Sequence, residues 1–314
     1  MGAKKVINVT AQSDSTCVIL EDRTLYCWGR NNFGQLGYGD QQHRLQPQRS
    51  AIPLGQPVVQ VAIDYHTCAL LQDGSVKCWG SNGNGELGYG DFRYRFTPGT
   101  EVLPLQGKRA LFVAVFYGIT CIIIEEGHVQ CWGRNERGDL GYGDYKPRIK
   151  PGESIQLQSK RATHLDIGEA NFILMEDGSI QSWGSGMDGR LGYGFDTSFQ
   201  RYIKRRSVVN LGKKAIKVSN QGGHTCAILE DKSLKCWGDN TQNKLGYGNT
   251  QPELYGPPDA TVPLTQKVLQ VTTGGGQTCA LLSDFTVRCW GRSKNDGLGH
   301  DPLRTPLFES PTQP

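Results

Sequence analysis

Cys27 to Asp40 reads CWGRNNFGQLGYGD, and the chain spells out variants of it six times. The Trp-Gly stands at Trp28, Trp79, Trp132, Trp183, Trp237 and Trp290, which are all six tryptophans, at spacings of 51, 53, 51, 54 and 53 residues. Eight residues after each Trp comes a Leu-Gly, at Leu36, Leu87, Leu140, Leu191, Leu245 and Leu298. Two residues beyond each Leu stands a tyrosine (Tyr38, Tyr89, Tyr142, Tyr193, Tyr247), replaced by His300 in the last copy. A fixed period of this length is the mark of a repeat architecture, in which each copy buries its apolar face on its neighbours.

Working outward from the motif, each copy reads as strands. In the second copy, VVQVAI (Val58 to Ile63) is a strand by its apolar period and β-branched content. A short loop leads to Thr67-Cys68-Ala69-Leu70-Leu71, then Gln72-Asp73-Gly74, then Ser75 to Trp79. Three loop residues ending in Gly suit a hairpin closed by a left-handed glycine. After the Trp comes a Gly-rich loop in which Leu87 is the expected plug and Asn82 (like Asn31, Asn135 and Asn240) the expected partner of the turning backbone. A last short strand is expected at Thr100 to Leu105, Ser207 to Leu211 and Thr261 to Leu264. The expectation is an all-β chain, a single β-propeller of six blades with about four antiparallel strands each, or seven blades if the termini combine into another. The repeats run approximately over 6–57, 58–110, 111–161, 162–214, 215–267 and 268–308, followed by a tail at 309–314.

The cysteines form a second pattern. Cys17 and Cys27, Cys68 and Cys78, Cys121 and Cys131, Cys226 and Cys236, and Cys279 and Cys289 are each ten residues apart at one place in the repeat. The fourth copy lacks both members and has Phe172 and Ser182 instead. Joint retention and joint loss is the behaviour of a bonded pair, and a hairpin centred on Asp73 sets Cys68 opposite Cys78. Ligands ten apart on one hairpin lack the close spacing of a structural zinc site. Each bridge would contribute about 3 kcal/mol on the chain-entropy view. Five bridges imply an oxidising location: secreted, periplasmic or cell-surface, with an intracellular one the alternative if the thiols are free. MGAKKVINVT has no apolar signal region, and the apolar run that contains Ala110 to Val115 is strand-sized, so no membrane insertion is expected.

The unit HTCALLQDGSVKCWGSNGNGELGYGD, His66 to Asp91, closely resembles the repeat of the regulator of chromosome condensation family, and its cysteine pairs resemble the disulfide-containing secreted members. The resemblance runs from about Val6 to about Asp301 and implies a β-propeller. That family includes exchange factors for a small GTPase, chromatin-binding propellers, photoreceptors and secreted inhibitors of β-lactamase. No exchange residue of that family is carried over onto positions here. All six tryptophans occupy the repeat's own position, which argues against the tryptophan clusters of the light-sensing members.

Chemistry-bearing motifs are few. No Ser-His-Asp, HExxH or phosphate-loop pattern appears, so no catalytic residue, metal ligand or cofactor is assigned. His66 and His224 share one repeat position and read as loop caps. The Gly-Tyr-Gly-Asp tails ending at Asp40, Asp91 and Asp144 lack the dense carboxylates of a calcium loop and read as turn caps. The sequon Asn8-Val9-Thr10 falls inside the first expected strand. Basic residues depart from strict repetition: Arg44, Arg95 and Arg148 stand sixteen residues after their Trp, joined by Arg93, Lys146, Arg201, Lys204 and Arg205. Tyr94 and other aromatics interleave with them, as at interfaces. The hairpin turns are acidic (Glu21-Asp22, Asp73, Glu125-Glu126, Glu176-Asp177), so the two charges should begin at opposite faces. The expected function is a non-enzymatic scaffold docking a protein or anionic polymer through a basic-aromatic face. Nucleic acid is disfavoured by the disulfides, and the alternative is an intracellular exchange factor or chromatin-associated propeller.

Overall fold

The structure, a computed structural model, describes residues 4–157, 160–194, 202–249 and 251–292, with main chain alone for 202–207. The chain divides into two compact units, Met1–Glu136 with Leu140–Leu165, and Arg137–Asp139 with Asp166–Pro314.

Six antiparallel sheets are described, and they make the fold an all-β propeller of six blades. The first is β1 (Val6–Gln12), β2 (Ser15–Leu20) and β3 (Leu25–Gly29). The second is β4 (Val58–Ile63), β5 (His66–Leu71) and β6 (Val76–Gly80), and the third β7 (Ala110–Phe116), β8 (Ile119–Ile124) and β9 (His128–Gly133). The fourth has four strands, β10 (Ala162–Ile167), β11 (Ala170–Met175), β12 (Ile180–Ser185) and β13 (Tyr202–Val208). So does the fifth, β14 (Ala215–Gln221), β15 (His224–Leu229), β16 (Leu234–Asp239) and β17 (Glu253–Leu254). The sixth is β18 (Val268–Thr273), β19 (Gln277–Leu282) and β20 (Val287–Gly291). Within each sheet the strands follow chain order. The first strand alternates, as in β4, where Val58, Val61 and Ile63 are buried and Val59 is exposed, whereas the middle strands β5, β8, β11 and β15 are buried throughout. That is the pattern of a strand covered on both faces.

The cysteine expectation holds at every pair. Cys17 is bonded to Cys27, Cys68 to Cys78 and Cys121 to Cys131. Cys226 is bonded to Cys236, and Cys279 to Cys289. In each case the two residues stand directly opposite in register on the second and third strands, with Cα atoms 4.0–4.1 Å apart. In the fourth sheet Phe172 faces Ser182 at the same register; the Ser182 hydroxyl donates to the Leu191 carbonyl, and the fully buried Phe172 ring meets Trp237 edge-on at 6.3 Å. An aromatic contact and a hydrogen bond take the place of the bridge.

The expected fourth strand is present in the fourth and fifth sheets, as β13 and β17, and is absent from the other described sheets. Thr100 to Leu105 and Thr261 to Leu264 form no ladder, and β13 reaches only Val208. What borders the third strand in the first three sheets is a set of single contacts. Gly29, Gly80 and Gly133 form isolated bridges with Arg44, Arg95 and Arg148 at one end. At the other, Ile52, Leu103 and Ile155 donate their N–H to Leu25, Val76 and Val129. Between them the hydroxyls of Tyr38, Tyr89 and Tyr142 accept from the N–H of Cys27, Cys78 and Cys131. Thus the repeated tyrosine satisfies an edge that a fourth strand would otherwise cover.

The Trp-Gly and Leu-Gly signatures meet one another across copies. Each described buried indole N–H donates to the carbonyl before a Leu-Gly one copy earlier: Trp79 to Gln35, Trp132 to Glu86, Trp183 to Asp139, Trp237 to Arg190 and Trp290 to Lys244, at 2.7–2.9 Å. The same carbonyls accept a second bond, from the hydroxyls of Thr67, Thr120, Thr225 and Thr278 and from the Asn171 amide. A carbonyl has two lone pairs, so one oxygen serves both donors. The following glycine has to be glycine: Gly88 has φ +81° and a Cβ there would lie 2.6 Å from Trp132 Nε1. The plug and cap expectations hold as well. Leu36, Leu87, Leu140 and Leu245 are fully buried, and their N–H groups donate to Asn31, Asn82, Asn135 and Asn240.

His66 and His224 extend this network. Their Nε2 atoms lie 2.7 Å from the hydroxyls of Thr120 and Thr278, which themselves donate to carbonyls, so each imidazole donates. Thr120→Val would leave a buried imidazole N–H without its acceptor. It should lower unfolding stability by about 1–3 kcal/mol in a denaturant titration of the oxidised chain.

Burial holds both imidazoles neutral, lowering His66 and pushing His224 down from 6.5 to about 4. The unfolded imidazole takes up its proton near pH 6.5 and the folded one near 4. Stability from this group is therefore complete above about pH 6.5 and is lost as pH falls towards 4. His224→Gln places the residue found at the equivalent Gln277 and removes the titration. Between pH 7.5 and 5 the variant should lose about 2 kcal/mol less stability than the parent chain in parallel denaturant titrations.

Candidate functional site

The basic residues sort into two kinds. Arg44, Arg95 and Arg148 turn back on their own loop. Each guanidinium forms a paired contact with the carboxylate four residues earlier, Asp40, Asp91 or Asp144, at 2.9–3.1 Å. Each also lies over a repeated tyrosine, 4.6 Å from Tyr38, 4.1 Å from Tyr89 and 3.6 Å from Tyr142. Their side chains are only 12–21% exposed. Hydrogen bonds from these arginines, above all, hold the three aspartates below the usual carboxylate range, and burial raises the three tyrosines. The aspartates also accept from Asn31, Asn82 and Asn135, which makes them the turn caps expected of them. These three arginines are therefore internal ties of the loop, each matched by a carboxylate of its own copy.

Arg93 and Lys146 are the outward kind. Both are exposed, and among the described residues neither side chain forms an ion pair. Tyr94 is 46% exposed and faces a cleft. Arg201 lies outside the described residues, and Lys204 and Arg205 belong to β13, where only the main chain is described.

The cleft lies in the first unit, where the Gly-rich loops and the two-residue turns between first and second strands come together. It encloses about 420 Å³ and is lined by Arg30, Phe33, Tyr65, Tyr94, Tyr117 and Arg134, with Asn84, Glu86 and Glu136 among its polar groups. The rings touch in series. Phe33 meets Tyr65 edge-on at 5.4 Å and Tyr94 at 6.2 Å, and Tyr65 meets Tyr117 edge-on at 5.4 Å. Arg30 lies over Tyr65 at 5.5 Å and Arg134 over Tyr117 at 4.7 Å.

Buried polar contacts fix this arrangement from beneath. Asp64, 1% exposed, accepts from the Tyr117 N–H at 2.7 Å and from the Ser13 hydroxyl, tying the turns of three sheets together. Glu86, also 1% exposed, accepts from the Ser81 hydroxyl and the Asn84 N–H. Tyr117 has φ +31°, in the left-handed region where its counterpart in the fifth copy is Gly222. A large aromatic held in an unfavourable conformation and half exposed is a departure from what the turn alone requires.

Of the cleft, sequence reading found only Tyr94. Tyr65 and Tyr117 carried a signal, since they stand in turns where other copies have Gly168, Gly222 and Gly223. Arg30 and Arg134 carried none, because Ser81 and Ser185 alternate with them. Among the described residues no group of three or more His, Cys, Asp or Glu side chains could hold a metal ion, and no helix is long and apolar enough to cross a membrane.

Comparison with known proteins agrees with this architecture. Models of the regulator of chromosome condensation (RCC1) repeat match residues 22–70 and 236–281, and, in a second form, 6–35, 64–86 and 222–243. The chain is 29% identical over 299 residues to the ultraviolet-B receptor UVR8 of Arabidopsis thaliana, covering 94% of this chain and 67% of that protein. It is 29% identical over 252 residues to the human E3 ubiquitin-protein ligase HERC2, covering 77% of this chain but 5% of HERC2. In structure it is similar to yeast RCC1 (Prp20) bound to Kap60, with a TM-score of 0.81, 21% identity, and coverage of 95% of this chain and 72% of that one. Repeated signature, blade architecture and family match coincide: the chain is a β-propeller built of regulator of chromosome condensation (RCC1) repeats.

Proposed function

We propose that this chain is a non-enzymatic scaffold, working in an oxidising, extracellular or surface-exposed setting, that docks a protein partner at the Gly-rich-loop end of its first three sheets. The observation that carries the reading is the Arg30–Phe33–Tyr65–Tyr94–Tyr117–Arg134 cleft, an aromatic and arginine surface of the kind enriched where proteins meet. Exposed Arg93 and Lys146 stand on the same loops and would extend the contact. Support for a protein partner comes from yeast RCC1, whose solved structure contains Kap60. The role named for UVR8 is not carried over: Trp79, Trp132, Trp183 and Trp237 are fully buried and each indole is committed to a carbonyl. The extracellular setting is supported by the five disulfides, since thiols of the cytosol stay reduced.

Two measurements test this. Protein from its native source, alkylated at lysis, should show no titratable thiol when denatured; ten free thiols would overturn the oxidising setting and favour the intracellular alternative, an exchange factor or chromatin-associated propeller. Arg93→Glu with Lys146→Glu changes two exposed side chains, so stability should stay within about 0.5 kcal/mol. Capture of a partner from extracellular material by the oxidised chain should weaken at least about tenfold in that variant. Undiminished capture of the same partner would move the docking surface elsewhere.

A further inference from the structure

The rings of the cleft are not required by the way their turns close. Where Tyr65 stands the fourth and fifth copies have Glu169 and Gly223, and where Tyr117 stands the fifth has Gly222. Tyr117 keeps its ring half exposed from a backbone conformation, φ +31°, that favours glycine. The hydroxyls differ in use as well. Those of Tyr38, Tyr89 and Tyr142 are engaged by the N–H groups of Cys27, Cys78 and Cys131. Among the described residues, those of Tyr65, Tyr94 and Tyr117 form no hydrogen bond. The charges of the lining, by contrast, are closed on themselves. Arg30 and Arg134 are balanced by Glu86 and Glu136, so the lining has no formal net charge. Both oxygens of Glu86 accept from within the loop, from the Ser81 hydroxyl and the Asn84 N–H. With its amide turned so that both ends are satisfied, Asn32 accepts from Arg30 Nε and Nη2 at 3.2 Å.

From three open hydroxyls and four rings in a charge-balanced lining, we infer that the cleft receives an uncharged, proline-rich segment of a protein partner in extended polyproline form. The inference rests on the protein-docking reading above and names the segment. A polyproline strand has no internal hydrogen bonds, so its backbone carbonyls stay open to outside donors. Its prolines bring no N–H that would need an acceptor. The lining complements both properties: the hydroxyls of Tyr65, Tyr94 and Tyr117 can donate, while the buried acid Glu86 is already occupied. The rings supply the seats. Phe33 and Tyr65 stand at 72° to one another and Tyr65 and Tyr117 at 62°, so neighbouring rings form angular notches and not a flat platform. A notch between two rings suits the compact pyrrolidine ring, and aromatic-lined grooves bind this backbone with little ordering cost because it is already extended. A sugar ring is the less fitting occupant. It would stack on an open aromatic face, and Tyr65 and Tyr117 each have a guanidinium over one face. A charged segment finds no complementary field in a lining whose own charges cancel.

Selection of short linear peptides from a random phage library on the intact oxidised chain tests the inference, with a glycan array screened in parallel. Enriched peptides should carry two or more prolines and no charged residue between them. Their affinity should change less than about twofold between about 0.05 and 0.5 M salt. Tyr117→Gly places the residue of the fifth copy at a turn that favours it, so the thermal transition should be unchanged or higher while peptide affinity falls at least about tenfold. Tyr94→Phe keeps the ring and removes one donor, and should weaken the same peptides about three- to tenfold. Phe92→Ser changes a ring on the same loop that is 58% exposed and outside the cleft lining, and it should bind as the parent does. Enrichment of charged or proline-free peptides, or of none, would refute the proline inference, as would indifference to Tyr117→Gly or an equal loss in Phe92→Ser. Capture of a protein partner that persists under any of these outcomes leaves the scaffold reading standing. Glycan binding that Tyr117→Gly abolishes, with no peptide enriched, would overturn both readings.

Discussion

One backbone oxygen per copy carries much of this architecture. In the five copies where this loop is described, the carbonyl before the Leu-Gly takes an indole N–H from the next copy's tryptophan and, from that same next copy, a hydroxyl or amide. A buried tryptophan needs a partner for its N–H, and a turning loop has carbonyls without ladder partners. Each supplies what the other lacks. Leucine and glycine follow from the same contact: the leucine fills the space beneath the loop, and a Cβ on Gly88 would strike the arriving indole. The insistence of the motif is a consequence of that repeated bond.

The residue that owns the carbonyl is Gln35, Glu86, Asp139, Arg190 or Lys244, five different side chains at one place. A main-chain acceptor puts no demand on its side chain, which is free to serve the local loop. In the second copy the glutamate braces a serine and a backbone N–H, while in the fourth and fifth the arginine and lysine form ion pairs. The most used acceptor thus sits at one of the least uniform positions of the motif.

Abbreviated edges follow a similar economy. In the first three copies, Tyr, Asp and Arg at fixed offsets replace a strand with one hydroxyl, one bidentate ion pair and one bridge. Where the fifth copy has Asn249 and Glu253 in place of Asp and Arg, a short fourth strand, β17, pairs with β16 instead. Arg44, Arg95 and Arg148 read as a basic row so long as they are taken without the aspartates four residues before them. The spacing that pairs them was visible in the sequence, but Asp and Arg were assigned to separate features.

What the sequence determined by itself was everything that depends on repetition: the all-β propeller class, the hairpins, the cross-strand cysteine pairs from Cys17 with Cys27 to Cys279 with Cys289, and the structural role of the tryptophans. Identical solutions recur at identical spacing because the same neighbour contact recurs, so pattern is enough to read them. The cleft belongs to the tertiary structure. Phe33, Tyr65, Tyr94, Tyr117 and the two arginines come from three copies and from different loops within them, up to 104 positions apart from Arg30 to Arg134. No one-dimensional period brings those side chains together. Their meeting is set by how the turns of three sheets are tied through Asp64, which makes the candidate site visible only once the chain has folded.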